Sequence, residues 1–350
     1  MPHASRARSL IDPGRSQPVL TATALRANPT PSDRELLRDY AAFGGVLRSE
    51  IAFPELEIAR RATRPDWTLL VELSRPSPHA LTPLGERQVG AEHYRLWRAA
   101  DGLRLEHSHA GTFDVSADGR YIRWYHQREA LPELVRTIVL GPAIALALEL
   151  AGFLCLHGSA VSLDGRASAF LAPKYFGKST LATALTAAGG RLLADDLLVV
   201  NAGTPVTVRP GVASVRLWAD TAAALPLDAI SQTLIHGVKT TVTGFRDEAL
   251  ARTPTALGDI YLLSPVRADA GAPPVARTRL GPMEAAIALA RHTKLPDSLV
   301  GLRAAGSQLA TAAKVAASVP VWRLHVVRDM SRLEAIVRQL IEWSLGNDQH

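Results

Sequence analysis

The segment with the clearest chemical potential is residues 172–180, which read Ala-Pro-Lys-Tyr-Phe-Gly-Lys-Ser-Thr. It follows the apolar run 167–171 and precedes the helix-forming run 181–188. Strand, loop and helix in this order are the setting of the phosphate-loop pattern G-x-x-x-x-G-K-[ST]. In that pattern Lys178 reaches the β- and γ-phosphates, and the Ser179 hydroxyl contacts Mg²⁺. The segment therefore predicts a nucleotide-phosphate site at the start of a helix, where backbone N–H groups favour an anion.

The loop departs from this pattern at several positions. Ala172 stands where the pattern has its first glycine, which is a mild steric change. Lys174, Tyr175 and Phe176 occupy the middle of the loop in place of small residues, and Tyr175 either crowds the loop or stacks on a ligand. Gly177 remains, and its conformational freedom lets the backbone turn its N–H groups toward an anion.

The same segment has a simpler interpretation as an ordinary helix N-terminus, with Ser179 or Thr180 near the cap. The flanking strand and helix patterns favour the phosphate-binding interpretation. The predicted nucleotide contacts are Ala172, Lys174, Tyr175, Phe176, Gly177, Lys178, Ser179 and Thr180.

A pair of adjacent carboxylates, Asp195 and Asp196, lies inside the otherwise apolar run 191–200. Burying two carboxylates is costly unless something neutralises them. Mg²⁺ beside a nucleotide would do so, and one carboxylate could accept the proton of a hydroxyl substrate. Neighbouring side chains of a strand point to opposite faces, so both roles are possible only where the strand ends or bends. Which acid binds metal and which is the base stays open, and a junction with two solvated acids is the alternative.

His157 precedes the loop strand and lies in an apolar segment. Taken alone, a single histidine in such a strand is most simply a core residue with its hydrogen bonds satisfied. Four cations further along the chain, Arg209, Arg216, Lys239 and Arg291, could face a phosphate, although each taken singly is more simply a surface residue.

The elements that must position these residues alternate between strand and helix from residue 131 onward. This alternation predicts an α/β core with helices packed on a sheet. One long helix is expected at 131–151. The other expected elements are strands 154–163, 167–171, 192–200 and 321–327 and helices 179–188, 282–292, 302–316 and 331–345.

The chain before residue 131 has a different composition and hydrophobic pattern. Residues 1–32 are rich in Pro, Ser, Thr and Arg and are expected to form a flexible basic extension. A short helix is predicted from Asp33 to Tyr40, and residues 33–130 as a whole are expected to form a small β-rich domain. Its clearest strands are 94–98, 104–107, 112–116 and 121–125, separated in part by Asp-Gly turns.

Composition limits the class of protein. The chain has 350 residues and a net charge of +6, but only 5% aromatic residues, which argues against nucleic acid as the main partner. A single cysteine, Cys155, excludes an intrachain disulfide and a cysteine-based zinc site, so a cytoplasmic location is expected. The apolar stretch 138–156 contains proline, glutamate and glycine, and is predicted to be a buried helix and strand with no membrane contact.

The order of these motifs resembles the C-terminal domain of HPr kinase/phosphorylase. His-x-Ser-Ala-Val at 157–161 is followed by a strand, a loop, a helix and Leu-x-x-Asp-Asp at 192–196. The chain is more closely similar to the HPr-kinase-related proteins of bacterial biosynthetic clusters. The likeness extends over about residues 36–345 and is strongest at 156–220. Outside the site it rests on residues 40–44, 49–50, 53–56, 209–211, 216–218 and 291–293.

This resemblance implies a P-loop kinase core, related to phosphoenolpyruvate carboxykinase, that uses ATP and Mg²⁺ to phosphorylate a hydroxyl group. Residues 177–180 would bind phosphate and metal, with Lys178 at the transferred group. Asp195 and Asp196 would share metal binding and general-base duty beside His157. The implied acceptor is a serine of a peptide or protein, or a small metabolite, and relatives suggest a homo-oligomer.

The departures from the family also carry information. The usual loop reads Gly-Pro-Ser-Gly-x-Gly-Lys-Ser-Thr, so Ala172, Lys174 and Tyr175 deviate from it. The second half of the chain has no phosphorylase-type signature, which favours a dedicated modifying kinase over a regulator of sugar transport. A non-catalytic nucleotide-binding accessory module is the main alternative, and an ATP hydrolase, for which no arginine finger can be identified, is another.

Overall fold

The structure, a computed structural model, describes residues 37–74, 76, 80–235, 239–267, 273–295 and 297–346, with only the backbone described at 235 and 297–305. The predicted extension 1–32 and the predicted N-cap Asp33 lie outside these residues. The described chain is mixed α/β, with three β-sheets. None of the described helices is both long enough and apolar enough to cross a membrane.

The first sheet has nine strands in the order β3-β1-β2-β4-β9-β8-β7-β6-β5. Neighbouring strands are antiparallel except that β4 is parallel to both β2 and β9. The strands are β1 (Arg38–Ala42), β2 (Gly45–Ser49), β3 (Glu57–Ile58), β4 (Trp67–Glu72), β5 (Thr82–Val89), β6 (Glu92–Ala99), β7 (Gly102–His107), β8 (Gly111–Ser116) and β9 (Tyr121–Tyr125).

The four strands predicted in this region are confirmed as β6 to β9. The predicted short helix is wrong where it is described, because residues 38–42 form β1. Phe43 and Gly44 have φ of 49° and 68°, and they form a two-residue turn that returns the chain as β2. Such turns match the twist of a hairpin, so tertiary pairing overrides the local helical pattern.

The predicted helix 131–151 is interrupted. It consists of α1 (Pro132–Ile138), one π-helical turn (Val139–Ala143) and α2 (Ile144–Leu150). Gly141 has non-helical torsions, with φ −108° and ψ −105°, immediately before Pro142. The proline lacks an N–H donor and its ring clashes with the preceding turn, which explains the kink. Both helices pack against the first sheet in one core.

The remainder of the chain forms a second nine-stranded sheet, a small three-stranded sheet and five helices in the described residues. The strands are β10 (Leu154–Leu156), β11 (Gly158–Leu163), β12 (Arg166–Leu171), β13 (Arg191–Asp195), β14 (Leu198–Asn201), β15 (Thr207–Arg209), β16 (Val215–Leu217), β17 (Ser231–Ile235), β18 (Thr240–Phe245), β19 (Thr255–Val266), β20 (Val275–Arg279) and β21 (Val321–Val327). The helices are α3 (Lys178–Ala187), α4 (Ala219–Ala224), α5 (Pro282–Arg291), α6 (Asp297–Ser318) and α7 (Leu333–Ser344).

The second sheet runs in the order β10-β14-β15-β19-β12-β11-β13, with β21 paired to β19 and β20. Helices α3 and α7 share a core with one face of this sheet, and α5 and α6 share a core with the other face. The small sheet has the order β16-β18-β17 and joins the core of α3 and α7. The second sheet is therefore covered by helices on both faces.

The predicted helices in this part of the chain are confirmed, and so are strands 167–171 and 321–327. Two predicted strands are divided instead of continuous. The run 154–163 breaks at His157 between β10 and β11, and the run 192–200 breaks at Asp196 between β13 and β14. Asp196 has φ of 70°, which a continuing strand does not allow. Both breaks fall on residues with predicted chemistry.

Candidate functional site

One edge of the second sheet collects the predicted residues because of strand direction. Strands β12 and β13 both run antiparallel to β11. Their carboxyl ends and the start of β11 therefore lie at the same edge of the sheet. The loop 172–177 follows β12, Asp195 ends β13, and His157 immediately precedes β11. Residues far apart in sequence meet there.

The loop turns into α3 through two residues with left-handed torsions. Gly177 has φ of 86° at the N-cap, and Tyr175 has φ of 71°. A tyrosine rarely adopts such torsions, so the surrounding contacts must hold it there. The Tyr175 ring is 63% exposed and stacks on Trp218 with centroids 5.7 Å apart, so the side chain points out of the loop. No side chain caps α3, which begins directly after the loop.

Lys178 is buried beneath this loop. Its Nζ donates hydrogen bonds to the carbonyl oxygens of Ala172, at 2.9 Å, and Pro173, at 3.1 Å. Burial lowers the pKa of the Lys178 ammonium. Among the described residues it forms no ion pair with a carboxylate. Lys178 is thus a buried cation satisfied only by neutral carbonyl oxygens.

Asp195 faces hydroxyl groups. Its Oδ1 accepts hydrogen bonds from Ser159 Oγ at 2.5 Å and from Ser179 Oγ at 2.9 Å. Ser159 is its partner across β11 and β13, and Ser179 lies in the first turn of α3. Burial raises the pKa of the Asp195 carboxyl, and the hydroxyl hydrogen bonds oppose this only in part. The described chain places no cation in contact with this carboxylate.

Asp196 faces the other way. Its Oδ2 accepts from Lys294 Nζ at 2.7 Å, and its Oδ1 lies 3.2 Å from His157 Nδ1. Burial alone would raise the pKa of the Asp196 carboxyl, but Lys294 and His157 outweigh it and hold that pKa well below its usual range. The side chain is 43% exposed, so this ionised carboxylate can be reached from solvent.

The structure brings together most of the predicted residues. Ser179 contacts Asp195, His157 contacts Asp196, and Lys178 and the loop adjoin them. Among the downstream cations, Lys239 lies beside the loop, with its Nζ 6.0 Å from the Tyr175 ring centroid.

Two of the predicted cations lie away from the carboxylates. Arg209 stacks on Phe153 and donates to the Gly44 carbonyl, so it joins the two large sheets. Arg291 is exposed at the end of α5. Neither forms a hydrogen bond or an ion pair with the site residues in the described chain.

Sequence reasoning missed two residues that contact the carboxylates. Ser159 lies within the His-x-Ser motif but had no assigned role. Lys294 lies 98 residues beyond Asp196 and follows α5. Its backbone N–H donates to the Cys155 carbonyl at 2.8 Å, which ties this segment to β10. No local pattern indicates that contact, since it depends on how α5 packs.

The donor set suits a cation that arrives with phosphate oxygens. No group of three or more His, Cys, Asp or Glu in the described chain could hold a metal alone. Ser179 and Asp195 offer adjacent hydroxyl and carboxylate oxygens, which are ligands that Mg²⁺ accepts alongside phosphates and water. A cavity of about 220 Å³ lies elsewhere, between the β1–β2 turn and residues 210–213, and contains none of these side chains.

Comparison with known proteins finds a structural likeness to the chain. No family model matches it, and no curated protein matches its sequence. A solved structure of the HPr(Ser) kinase/phosphatase from Coxiella burnetii is similar at 12% sequence identity and a TM-score of 0.30, covering 55% of this chain and 98% of that chain. This likeness assigns no role to any residue, so the function must be argued from the site itself.

Proposed function

We propose that the protein is an ATP- and Mg²⁺-dependent kinase that phosphorylates a hydroxyl group. The main observation in support is that strand β13 ends between two adjacent carboxylates, so that each has different partners. Asp195 meets Ser179 at the start of α3, whereas Asp196 meets His157 and Lys294. A phosphotransferase needs a metal-side group and a hydroxyl-orienting group near one loop, and this arrangement supplies both.

Asp195 and Ser179 form the metal side in this proposal. Asp195 is a half-buried carboxylate whose hydrogen bonds come from neutral hydroxyls. Burial raises the pKa of this carboxyl, so a positive charge in contact with it would favour its ionised form. Asp195 and Ser179 would hold a Mg²⁺ ion, which would supply positive charge beside the nucleotide phosphates. Lys178 would then exchange its loop carbonyl partners for phosphate oxygens.

Asp196 is the proposed acceptor-side residue. Lys294 and His157 keep it ionised, and its exposure leaves room for a hydroxyl. Phosphoryl transfer passes through a loose transition state, so orienting the hydroxyl matters more than base strength. The acceptor oxygen forms its bond to the γ-phosphorus, the bond to the departing diphosphate breaks, and the hydroxyl proton passes to Asp196.

A non-catalytic nucleotide-binding module is the second candidate. The observation that favours it is the loop itself, because Tyr175 holds left-handed torsions where the resembled family has glycine. A loop that contains this tyrosine could bind a nucleotide phosphate without catalysing its transfer. The two candidates predict different effects of substituting Asp196. In a kinase the substitution lowers the rate of phosphoryl transfer, whereas in a binding module there is no such rate to lower.

The first test is calorimetric titration with ATP and Mg²⁺. We expect Lys178→Ala to weaken binding at least about tenfold, equivalent to about 1.4 kcal/mol. Lys314→Ala, an exposed lysine on α6, is the matched control and should leave affinity unchanged. A folded wild-type protein that binds no nucleotide would contradict both candidates.

A second measurement separates kinase from module without knowledge of the acceptor. Slow hydrolysis of ATP uses water in place of the acceptor hydroxyl. We expect Asp196→Asn to retain nucleotide affinity within about threefold and to lower this hydrolysis at least about 100-fold, as for loss of a positioned base. Nucleotide binding with no hydrolysis in the wild type and no transfer to hydroxyl compounds would favour the module.

A further inference from the structure

The small sheet presents three side chains on one exposed face. Leu217 of β16 pairs with Thr240 of β18, and both are buried. Side chains alternate along a strand, so the residues flanking this pair lie on the opposite face. The flanking residues are Arg216, Trp218, Lys239 and Thr241, and we refer to the first three, which are exposed, as the basic face.

The basic face contacts the loop that follows β12. The Trp218 ring stacks on Tyr175 at an interplanar angle of 20°, and Lys239 Nζ lies 4.7 Å from the Trp218 centroid. Arg328 donates to the Tyr175 carbonyl at 3.1 Å and holds the loop from the other side. The left-handed torsions of Tyr175 direct its ring to this contact. The small sheet therefore forms a wall beside the candidate site.

The charges at this wall are unbalanced. Lys174 of the loop, Arg216 and Lys239 have no carboxylate within 4.0 Å anywhere in the described chain, unlike Lys294, which pairs with Asp196. Partial burial lowers the pKa of the Lys239 ammonium and the like charges of Arg216 and Lys174 lower it further, whereas the carboxylates of Asp195 and Asp196 act in the opposite direction. In the proposed function Mg²⁺ and Lys178 would face the nucleotide phosphates, and these three cations add positive charge beside them that a further anion would neutralise.

We propose that the basic face binds an anionic group of the phosphoryl acceptor, a carboxylate or a phosphate. The inference rests on the proposed kinase function and adds the acceptor's chemical class, namely a hydroxyl compound that also carries an oxyanion. Lys239 and Arg216 would bind the oxyanion, and the exposed Trp218 and Tyr175 rings would pack on the adjoining part of the molecule. The hydroxyl would then point toward Asp196.

In the competing assignment, the cations of the basic face bind the phosphates of the nucleotide. In that case a bound nucleotide would occupy the basic face and exclude any other anion. In the proposed arrangement the two sites are separate, so nucleotide and anion bind together. This difference can be measured with simple probes before the acceptor is identified.

The experiment follows Trp218 fluorescence during titration with inorganic phosphate and, separately, acetate. Each titration is run with and without a saturating non-hydrolysable ATP analogue and Mg²⁺. Trp218→Phe identifies the signal of this tryptophan. We expect at least one anion to bind saturably in the presence of the nucleotide, and the stronger of the two indicates which oxyanion the acceptor carries.

The decisive variant is Arg216→Gln with Lys239→Gln. We expect its affinity for the anion to fall at least about tenfold and its nucleotide affinity to stay within about twofold. Arg338→Gln with Lys314→Gln removes the same charge from exposed helix positions and should change neither affinity. All four side chains substituted in these two double variants are exposed, so we expect both proteins to fold. Thermal unfolding checks this.

The outcomes separate the two proposals. Exclusion of both anions by the nucleotide, or equal loss of nucleotide affinity in the double variant, overturns the acceptor assignment and leaves the kinase proposal in place. Nucleotide binding without any anion binding likewise overturns the acceptor assignment and leaves the kinase proposal in place. Anion binding at the basic face in a protein that binds no nucleotide overturns the kinase proposal, and the acceptor role with it.

Discussion

The first sheet and the candidate site treat their charged residues in opposite ways. In the first sheet Asp39 accepts two hydrogen bonds from Arg48, at 2.7 and 2.9 Å, and one from the Ala62 amide. At the site Lys178 donates only to carbonyl oxygens, and Asp195 accepts from serine hydroxyls. The first sheet matches these opposite charges, whereas the site leaves Lys178 and Asp195 without an ion-pair partner in the described chain and pairs only Asp196, with Lys294 and His157.

The pKa directions of two aspartates express the same contrast. The Arg48 hydrogen bonds lower the pKa of Asp39, whereas burial raises the pKa of Asp195. Removing a charge from water is costly, and an ion pair of good geometry offsets that cost. A charge without such a partner lowers the stability of the ligand-free protein, and it remains available to bind a ligand. We conclude that paired charges stabilise the first sheet, and that Lys178 and Asp195, which lack such partners, are the charges of the site available to a ligand.

The largest effect on stability is expected where a paired charge is broken. Asp39→Asn would place an amide N–H against the Arg48 or Ala62 donors, whichever way it turned, and would leave Arg48 without its counter-charge. We expect the free energy of unfolding to fall by about 3 kcal/mol, as for other disrupted buried pairs. Urea unfolding measures this.

Asp101→Asn, at an exposed turn, is the control for this substitution and should change stability by less than about 0.5 kcal/mol. Nucleotide affinity of the folded Asp39→Asn protein should match that of the wild type. A loss below about 1 kcal/mol for Asp39→Asn would show that the pair does little for the first sheet.

An intermediate effect is expected at Glu149, a buried acid on α2 whose partner is an amide. Gln308 Nε2 donates to it at 2.9 Å, and each residue keeps one buried oxygen with no partner in the described chain. Burial raises the pKa of Glu149 to about 8. The folded protein then holds a proton that the unfolded chain releases above about pH 4.5, so the free energy of unfolding falls as pH rises from about 5 to about 8.

The slope attributable to this single proton is at most about 1.4 kcal/mol per pH unit. Glu149→Gln, which cannot ionise, should remove that component and leave the contribution of all other groups. The measurement is urea unfolding of both proteins at several pH values between 5 and 9. Identical pH profiles would contradict a protonated Glu149.

The smallest effect on stability is expected for Asp195→Asn. The substitution removes two charge-assisted hydrogen bonds but also removes a buried charge that has no counter-ion, and these changes oppose each other. We expect the free energy of unfolding to change by less than about 1 kcal/mol in either direction. The Mg²⁺-dependent part of ATP affinity should nevertheless be lost, as calorimetry with and without Mg²⁺ would show. A loss as large as that of Asp39→Asn would remove the contrast between the regions.

Much of the local structure was readable from the sequence. Alternating apolar residues and Asp-Gly turns predicted β6 to β9, and the strand and helix on either side of residues 172–177 followed from hydrophobic pattern and Gly177. These features depend on contacts between near neighbours in the chain. Strand β1 was missed because its structure depends on pairing across the Phe43-Gly44 turn, which outweighs the helical tendency of its residues.

The sequence by itself determined which residue types could do chemistry, because the loop, the paired acids and His157 are local motifs. Tertiary structure alone decided their partners. Strand direction placed Ser159 on Asp195, the packing of α5 delivered Lys294 to Asp196, and the small sheet placed Trp218 and Lys239 against Tyr175. These contacts join segments far apart in the chain, so their geometry depends on how strands and helices pack and leaves no local pattern in the sequence.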